Sequence, residues 1–84
     1  YYSRGGAYYN QGNTDAALAD YNKVIELDPS LVDVFYARGL VYLVYRSDTE
    51  RDKAIADFKK FIELSDDPYW RKQAENRLNE LEDN

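Results

Sequence analysis

The sequence predicts an all-α solenoid of antiparallel helix pairs, about five helices in all, and three observations carry that reading. The chain repeats itself: Tyr1-Tyr2-Ser3-Arg4-Gly5-Gly6-Ala7-Tyr8 reappears as Phe35-Tyr36-Ala37-Arg38-Gly39-Leu40-Val41-Tyr42, a displacement of 34 residues from position 1 to position 35. Ala17-Leu18-Ala19-Asp20-Tyr21 reappears as Ala54-Ile55-Ala56-Asp57-Phe58, displaced by 37 residues from position 17 to position 54. Each block ends on the same cadence, Val24-Ile25-Glu26-Leu27-Asp28-Pro29 and then Phe61-Ile62-Glu63-Leu64-Ser65-Asp66-Asp67-Pro68. A period of this length, with two amphipathic stretches per unit, marks stacked helical repeats.

The first helix spans roughly Tyr1 to Gln11 and stops at Gly12-Asn13, a C-terminal glycine followed by a turn. The second runs from about Thr14 to Leu27 behind a cap at Asn13 or Thr14. Its apolar residues Ala17, Leu18, Tyr21, Val24, Ile25 and Leu27 largely recur at steps of three and four. Asp28-Pro29 ends it. The third is expected from about Leu31 to Tyr45, with Ser30 as cap and Asp33 three residues on.

The second unit holds three extra residues near 46–52, since twelve steps separate Tyr42 from Ala54 where nine separate Tyr8 from Ala17. Ser47 and Glu50 have capping-box spacing, so the insertion reads as one more turn at the front of the fourth helix, starting near Asp48. Asp67 as cap and Pro68 in the first turn open the fifth helix. Trp70, Ala74, Leu78 and Leu81 form its one apolar stripe, opposite Arg71, Lys72, Glu75, Asn79 and Glu82. A helix with one apolar face covers an array without accepting another repeat on top. The chain thus divides into a first unit at 1–31, a second at 32–67 and a capping helix at 68–84.

With 84 residues, this is one domain near the lower limit for a self-sufficient core, and nine Tyr, three Phe and one Trp argue that it folds. Cys and His are both absent, which removes disulfides, thiol nucleophiles, the commonest general base and the commonest metal ligand. No Gly-rich phosphate loop is present, because Gly5-Gly6 lies inside a helical pattern, and Asp66-Asp67 is explained by capping. No catalytic or metal constellation emerges, and no cofactor is implied: the reading is a non-enzyme. The net charge of −5 is spread evenly along the chain without a basic stripe, which argues against nucleic acid. The longest apolar run, Leu40 to Tyr45, is far too short to span a membrane. The lack of Cys suits a reducing cytoplasm but leaves the compartment undetermined. The missing initiator Met and the opening in mid-pattern fit an N-terminally truncated first unit.

Tyr1, Gly5, Tyr8, Gly12, Ala17, Tyr21 and Pro29, matched by Phe35, Gly39, Tyr42, Ala54, Phe58 and, two residues late, Pro68, make the chain resemble the tetratricopeptide repeat family. The resemblance covers about 67 residues as two repeats, and the remainder is similar to the family's terminal capping helix. It implies a right-handed superhelix whose concave face is lined mainly by the first helix of each pair and binds a peptide or a partner helix. Helix geometry then places Tyr2, Gly6, Tyr9, Asp33, Tyr36, Ala37, Leu40 and Leu43 at the groove. Family members that clamp acidic carboxyl termini carry Lys, Asn and Arg on this face. The corresponding residues here are Tyr2, Gly6, Asp33 and Ala37, so that clamp is absent.

An uncharged, aromatic groove favours an apolar peptide or an amphipathic helix, as part of a larger scaffold or adaptor. The alternative is structural: the segment stabilises a longer array, or forms a homodimer through the truncated N-terminal face around Tyr1 and Tyr8. A concentration-dependent melting temperature would mark the dimer. Arg4 with Asp20, and Arg38 with Asp57, occupy matching places in the two units and are expected to form structural ion pairs within each repeat. If such a pair is exposed it contributes little; if buried, breaking it is costly.

Overall fold

Gly12 sets the first corner of the chain. Its φ of 77° is the single positive value among the described residues and lies where glycine alone carries no steric penalty. In the computed structural model, which describes residues 2–46 and 48–82, five helices follow one another. They are α1 (Tyr2–Asn10), α2 (Thr14–Leu27), α3 (Asp33–Arg46), α4 (Arg51–Leu64) and α5 (Pro68–Glu82). Each packs on the next in sequence, and α1 also touches α3, so the first helices of the two units lie side by side. The architecture is an all-α helical repeat.

Side-chain capping sets the starts of α2 and α5. The Asn13 side chain accepts a hydrogen bond from the Ala16 amide at 3.4 Å, which makes Asn13 the cap of α2 and Thr14 its first residue. Asp67 Oδ1 accepts from the Tyr69 amide at 3.0 Å and the Trp70 amide at 3.4 Å, and Pro68 fills the first helical position of α5, where a missing amide costs nothing.

Two expected boundaries are corrected. Helix α3 begins at Asp33, not near Leu31, because Ser30 is engaged elsewhere: its hydroxyl donates to Asp28 Oδ1 at 2.5 Å and its amide to the same oxygen at 3.2 Å. That Asx-type turn holds the chain after Pro29 out of the helix for two further residues. Helix α4 begins at Arg51, not near Asp48, so the insertion adds no turn to its front. In both units the second helix starts three residues before its alanine, at Thr14 for Ala17 and Arg51 for Ala54. The extra residues instead extend α3, which continues four residues past Tyr42 where α1 continues two past Tyr8, and lengthen the following linker by one. Asp48 and Thr49 form a turn, and Glu50 precedes α4 without a side-chain capping bond. Ser47, the other half of the expected capping box, lies outside the described residues.

The core follows the repeat. Ala17, Tyr21 and Val24 of α2 and Ala54, Phe58 and Phe61 of α4 turn inward, with Val34, Phe35, Val41 and Tyr42 of α3 between them. Ala74 and Leu81 of α5 complete it, while Leu78 is half-buried and Trp70, at the start of the same stripe, stays largely exposed. The matching glycines let paired helices approach. A Cβ on Gly5 would lie 2.7 Å from the Tyr21 ring, and one on Gly39 3.0 Å from the Phe58 ring.

Gly5→Ala therefore sets overpacking, about 1–3 kcal/mol, against the higher helix propensity of alanine, about 1 kcal/mol. The close contact is expected to win, lowering stability by about 1 kcal/mol in a denaturant titration. At Gly6 the nearest atom would be the Tyr21 hydroxyl oxygen at 3.8 Å, so Gly6→Ala is expected to leave stability unchanged or raise it. Equal responses at the two positions would refute the close-approach role of Gly5.

Candidate peptide groove

The first helices of the two units leave a furrow between them, and α5 closes one side of it. The furrow is lined by Tyr2 of α1, Asp33, Tyr36, Ala37 and Leu40 of α3, Phe61 of α4, Ser65 and Asp67 of the following turn, and Trp70 of α5. Its volume is about 500 Å³, in the range of pockets that enclose several side chains or a small ligand.

Tyr36 is the hub of the aromatic wall. Its ring centroid lies 5.5 Å from Phe58, 5.2 Å from Phe61 and 5.6 Å from Trp70, each in an edge-on arrangement, and Tyr69 abuts Trp70 at 5.2 Å. Such T-shaped contacts set the positive edge of one ring on the negative face of another and fix ring orientation. Burial, and secondarily the neighbouring Asp33 carboxylate, push the Tyr2 hydroxyl above its ordinary pKa, so Tyr2 stays a neutral donor at the rim.

Of the eight residues that the sequence places at the groove, Tyr2, Asp33, Tyr36, Ala37 and Leu40 line this cavity, and Gly6, Tyr9 and Leu43 do not. Tyr9 meets Tyr45 edge-on at 5.5 Å, and its carbonyl accepts the Tyr45 hydroxyl at 3.0 Å, which ties the end of α1 to the extended end of α3. Leu43 is half-buried against the core. Gly6 faces the Tyr21 hydroxyl. Sequence reasoning missed Phe61, Ser65, Asp67 and Trp70, all contributed by α4, α5 and the turn between them. One signal was available: Tyr69-Trp70 places two large rings in the first turn of a predominantly polar helix.

The paired Arg and Asp residues form bidentate contacts in both units. Arg4 Nε and Nη2 donate to Asp20 at 2.9 and 2.7 Å, and Arg38 Nε and Nη2 donate to Asp57 at 2.8 and 2.7 Å. The two differ in environment: the Arg4 side chain is 59% exposed and that of Arg38 23%. Hydrogen bonding to Arg4 holds the Asp20 carboxyl below the usual carboxylate range. At Asp57, burial outweighs the same kind of bond and pushes the carboxyl up. Asp57 in turn raises the Arg38 guanidinium, which keeps its charge. Arg38 also donates to Asn22 Oδ1 at 2.9 Å, so it links α3 to both α2 and α4. Both guanidiniums bond to their Asp partners, and neither lines the furrow.

Among the described residues there is no group of three or more acidic, His or Cys side chains placed to hold a metal, and no helix long and apolar enough to cross a membrane. Repeated helix pairs flanking an aromatic furrow define an all-α helical-repeat module. Sequence comparison supplies the family. The model of the TPR repeat matches residues 1–43, and the chain belongs to the tetratricopeptide repeat family, whose repeats mediate protein–protein interaction.

Two curated relatives are similar. The photosystem I assembly protein Ycf3 of Acaryochloris marina is 27% identical over 84 aligned residues, covering 96% of this chain and 50% of the relative. The UDP-N-acetylglucosamine–peptide N-acetylglucosaminyltransferase of Giardia intestinalis is 38% identical over 68 residues, covering 71% of this chain and 4% of the relative. The chain thus spans half of the first relative and a small fraction of the second. No solved structure matches significantly.

Proposed function

We propose that the chain is the recognition part of a larger scaffold or adaptor, two repeat units at 1–31 and 32–67 closed by a capping helix at 68–84. Its furrow takes an apolar peptide or one face of an amphipathic helix. The observation that carries this reading is the furrow of about 500 Å³ walled by Tyr2, Tyr36, Leu40, Phe61 and Trp70. Tyr and Trp present wide rigid faces at low entropic cost, and such residues dominate the energetics of interfaces. An entering helix would place anchors at steps of three and four along the gap between α1 and α3. The assembly role named for the photosystem I relative fits a module that holds other proteins.

Trp70→Ala and Leu40→Glu test the reading. Trp70 is 46% exposed and Leu40 half-buried, so the folded chain is expected to survive both changes, checked by the helical circular dichroism signal. Affinity capture with wild type and both variants as bait is expected to retain a protein on the wild type and lose it on each variant. Capture of the same proteins by all three baits would remove the furrow from the function.

A further inference from the structure

Resting on the furrow as the binding site, we propose that its occupant carries a basic side chain, a Lys or Arg set among apolar anchors, seated between Asp33, Asp67 and the rings of Tyr36 and Trp70. Charge complementarity is the argument. Two carboxylates line the furrow and no Lys or Arg does. Among the described residues, neither Asp33 nor Asp67 has a salt-bridge partner, whereas the buried Asp20 and Asp57 each hold an arginine.

Helix N-termini offset part of this charge, since Asp33 is the first residue of α3 and Asp67 caps α5. Each terminus carries about half a positive charge. The two carboxylates therefore keep about one net negative charge between them. On a flanking element, Arg77 of α5 sits at the Tyr36 hydroxyl and pairs with Glu80 at 3.9 Å.

The walls reinforce the choice. Tyr36 and Trp70 line the furrow, and aromatic rings attract a guanidinium or ammonium electrostatically, Trp most strongly. The aliphatic stem of Lys or Arg packs on such rings while its head reaches a carboxylate. An acidic anchor here would instead meet two like charges inside a partly desolvated site.

Trp70 is the sole tryptophan, so its fluorescence reports the furrow directly. Peptides of about twelve residues are selected from a random library on the wild-type chain, and the binders are resynthesised with each Lys or Arg changed to Gln. Two charge-matched variants are compared. One is Asp33→Asn/Asp67→Asn, in which the asparagine introduced ahead of α5 retains capping ability. The other is Asp52→Asn/Glu63→Gln, on exposed parts of α4. The expected result is that Gln at one peptide position weakens binding about tenfold. That loss should vanish in Asp33→Asn/Asp67→Asn, persist in Asp52→Asn/Glu63→Gln, and leave the Gln peptide still bound. Binders that perturb Trp70 but lose nothing with Gln would overturn the basic anchor and keep the furrow. Equal loss on both variants would reduce it to diffuse attraction and overturn it as well. If no selected peptide perturbs Trp70, the furrow reading fails and this inference falls with it.

Discussion

Phe58→Ala is expected to remove a large share of the chain's stability at room temperature. Phe58 is 0% exposed and is the largest fully buried side chain among the described residues. Its ring sits 3.0–3.2 Å from where a Cβ on Gly39 would be and 5.5 Å from the Tyr36 ring. Truncating a buried Phe costs about 3–5 kcal/mol. The upper part of that range applies because Gly39 has no side chain with which to fill the hole. A domain of this size has about 4–12 kcal/mol in total. The loss also reaches the furrow, because Tyr36 would lose one of the rings that hold it against Trp70. Urea denaturation followed by circular dichroism is the check. A loss below about 1 kcal/mol, the level of a typical surface change, would mean that the core does not depend on the Phe58–Gly39 contact.

The second large effect is expected from Arg38→Leu. Asp57 is 3% exposed and depends on Arg38 for both of its charged contacts, at 2.8 and 2.7 Å. Removing the guanidinium leaves a buried carboxylate without compensation, which costs about 3–5 kcal/mol. Asn22 loses its partner on α3 at the same time. The double replacement Arg38→Leu/Asp57→Leu takes out the stranded charge and is expected to recover most of the loss, as exchanging a buried ion pair for apolar groups often does. Arg4→Leu is expected to have the smaller effect: Asp20 is itself 5% exposed, but the Arg4 side chain above it is 59% exposed, so removing it opens the carboxylate to water. A double variant no more stable than Arg38→Leu alone would show that α3 needs the arginine for another reason.

The parts of this fold that were legible in the sequence are those that steric fit dictates. Gly5 and Gly39 recur because Tyr21 and Phe58 need the space, and Ala17 and Ala54 because paired helices meet there. Period and small-residue spacing therefore carry the helix pairing, and Arg and Asp at matching places carry the ion pairs. Local polar chemistry is harder to read, because one residue type supports several arrangements. Ser30 could cap α3 or bond back to Asp28, and only the turn at Pro29 decides for Asp28. The 47–50 stretch has the letters of a helix start and of a turn alike; α3 simply continues until the chain must reverse. Trp70 follows the apolar period of α5 yet stands at the furrow, where its ring meets Tyr36 of α3 edge-on at 5.6 Å. Sites assembled from residues far apart in sequence, such as Tyr2, Leu40 and Trp70, become visible only when the helices are packed.

The most direct test of the furrow is a map of amide chemical-shift changes when a selected peptide binds the labelled chain. The changes are expected at Tyr2, Asp33, Tyr36, Ala37, Leu40 and Trp70, with Asn22, Lys23, Ala56, Lys60 and Glu63 on α2 and α4 left unmoved. Changes centred on that second group, with Trp70 silent, would place recognition on another face of the repeat and contradict the assignment of the furrow.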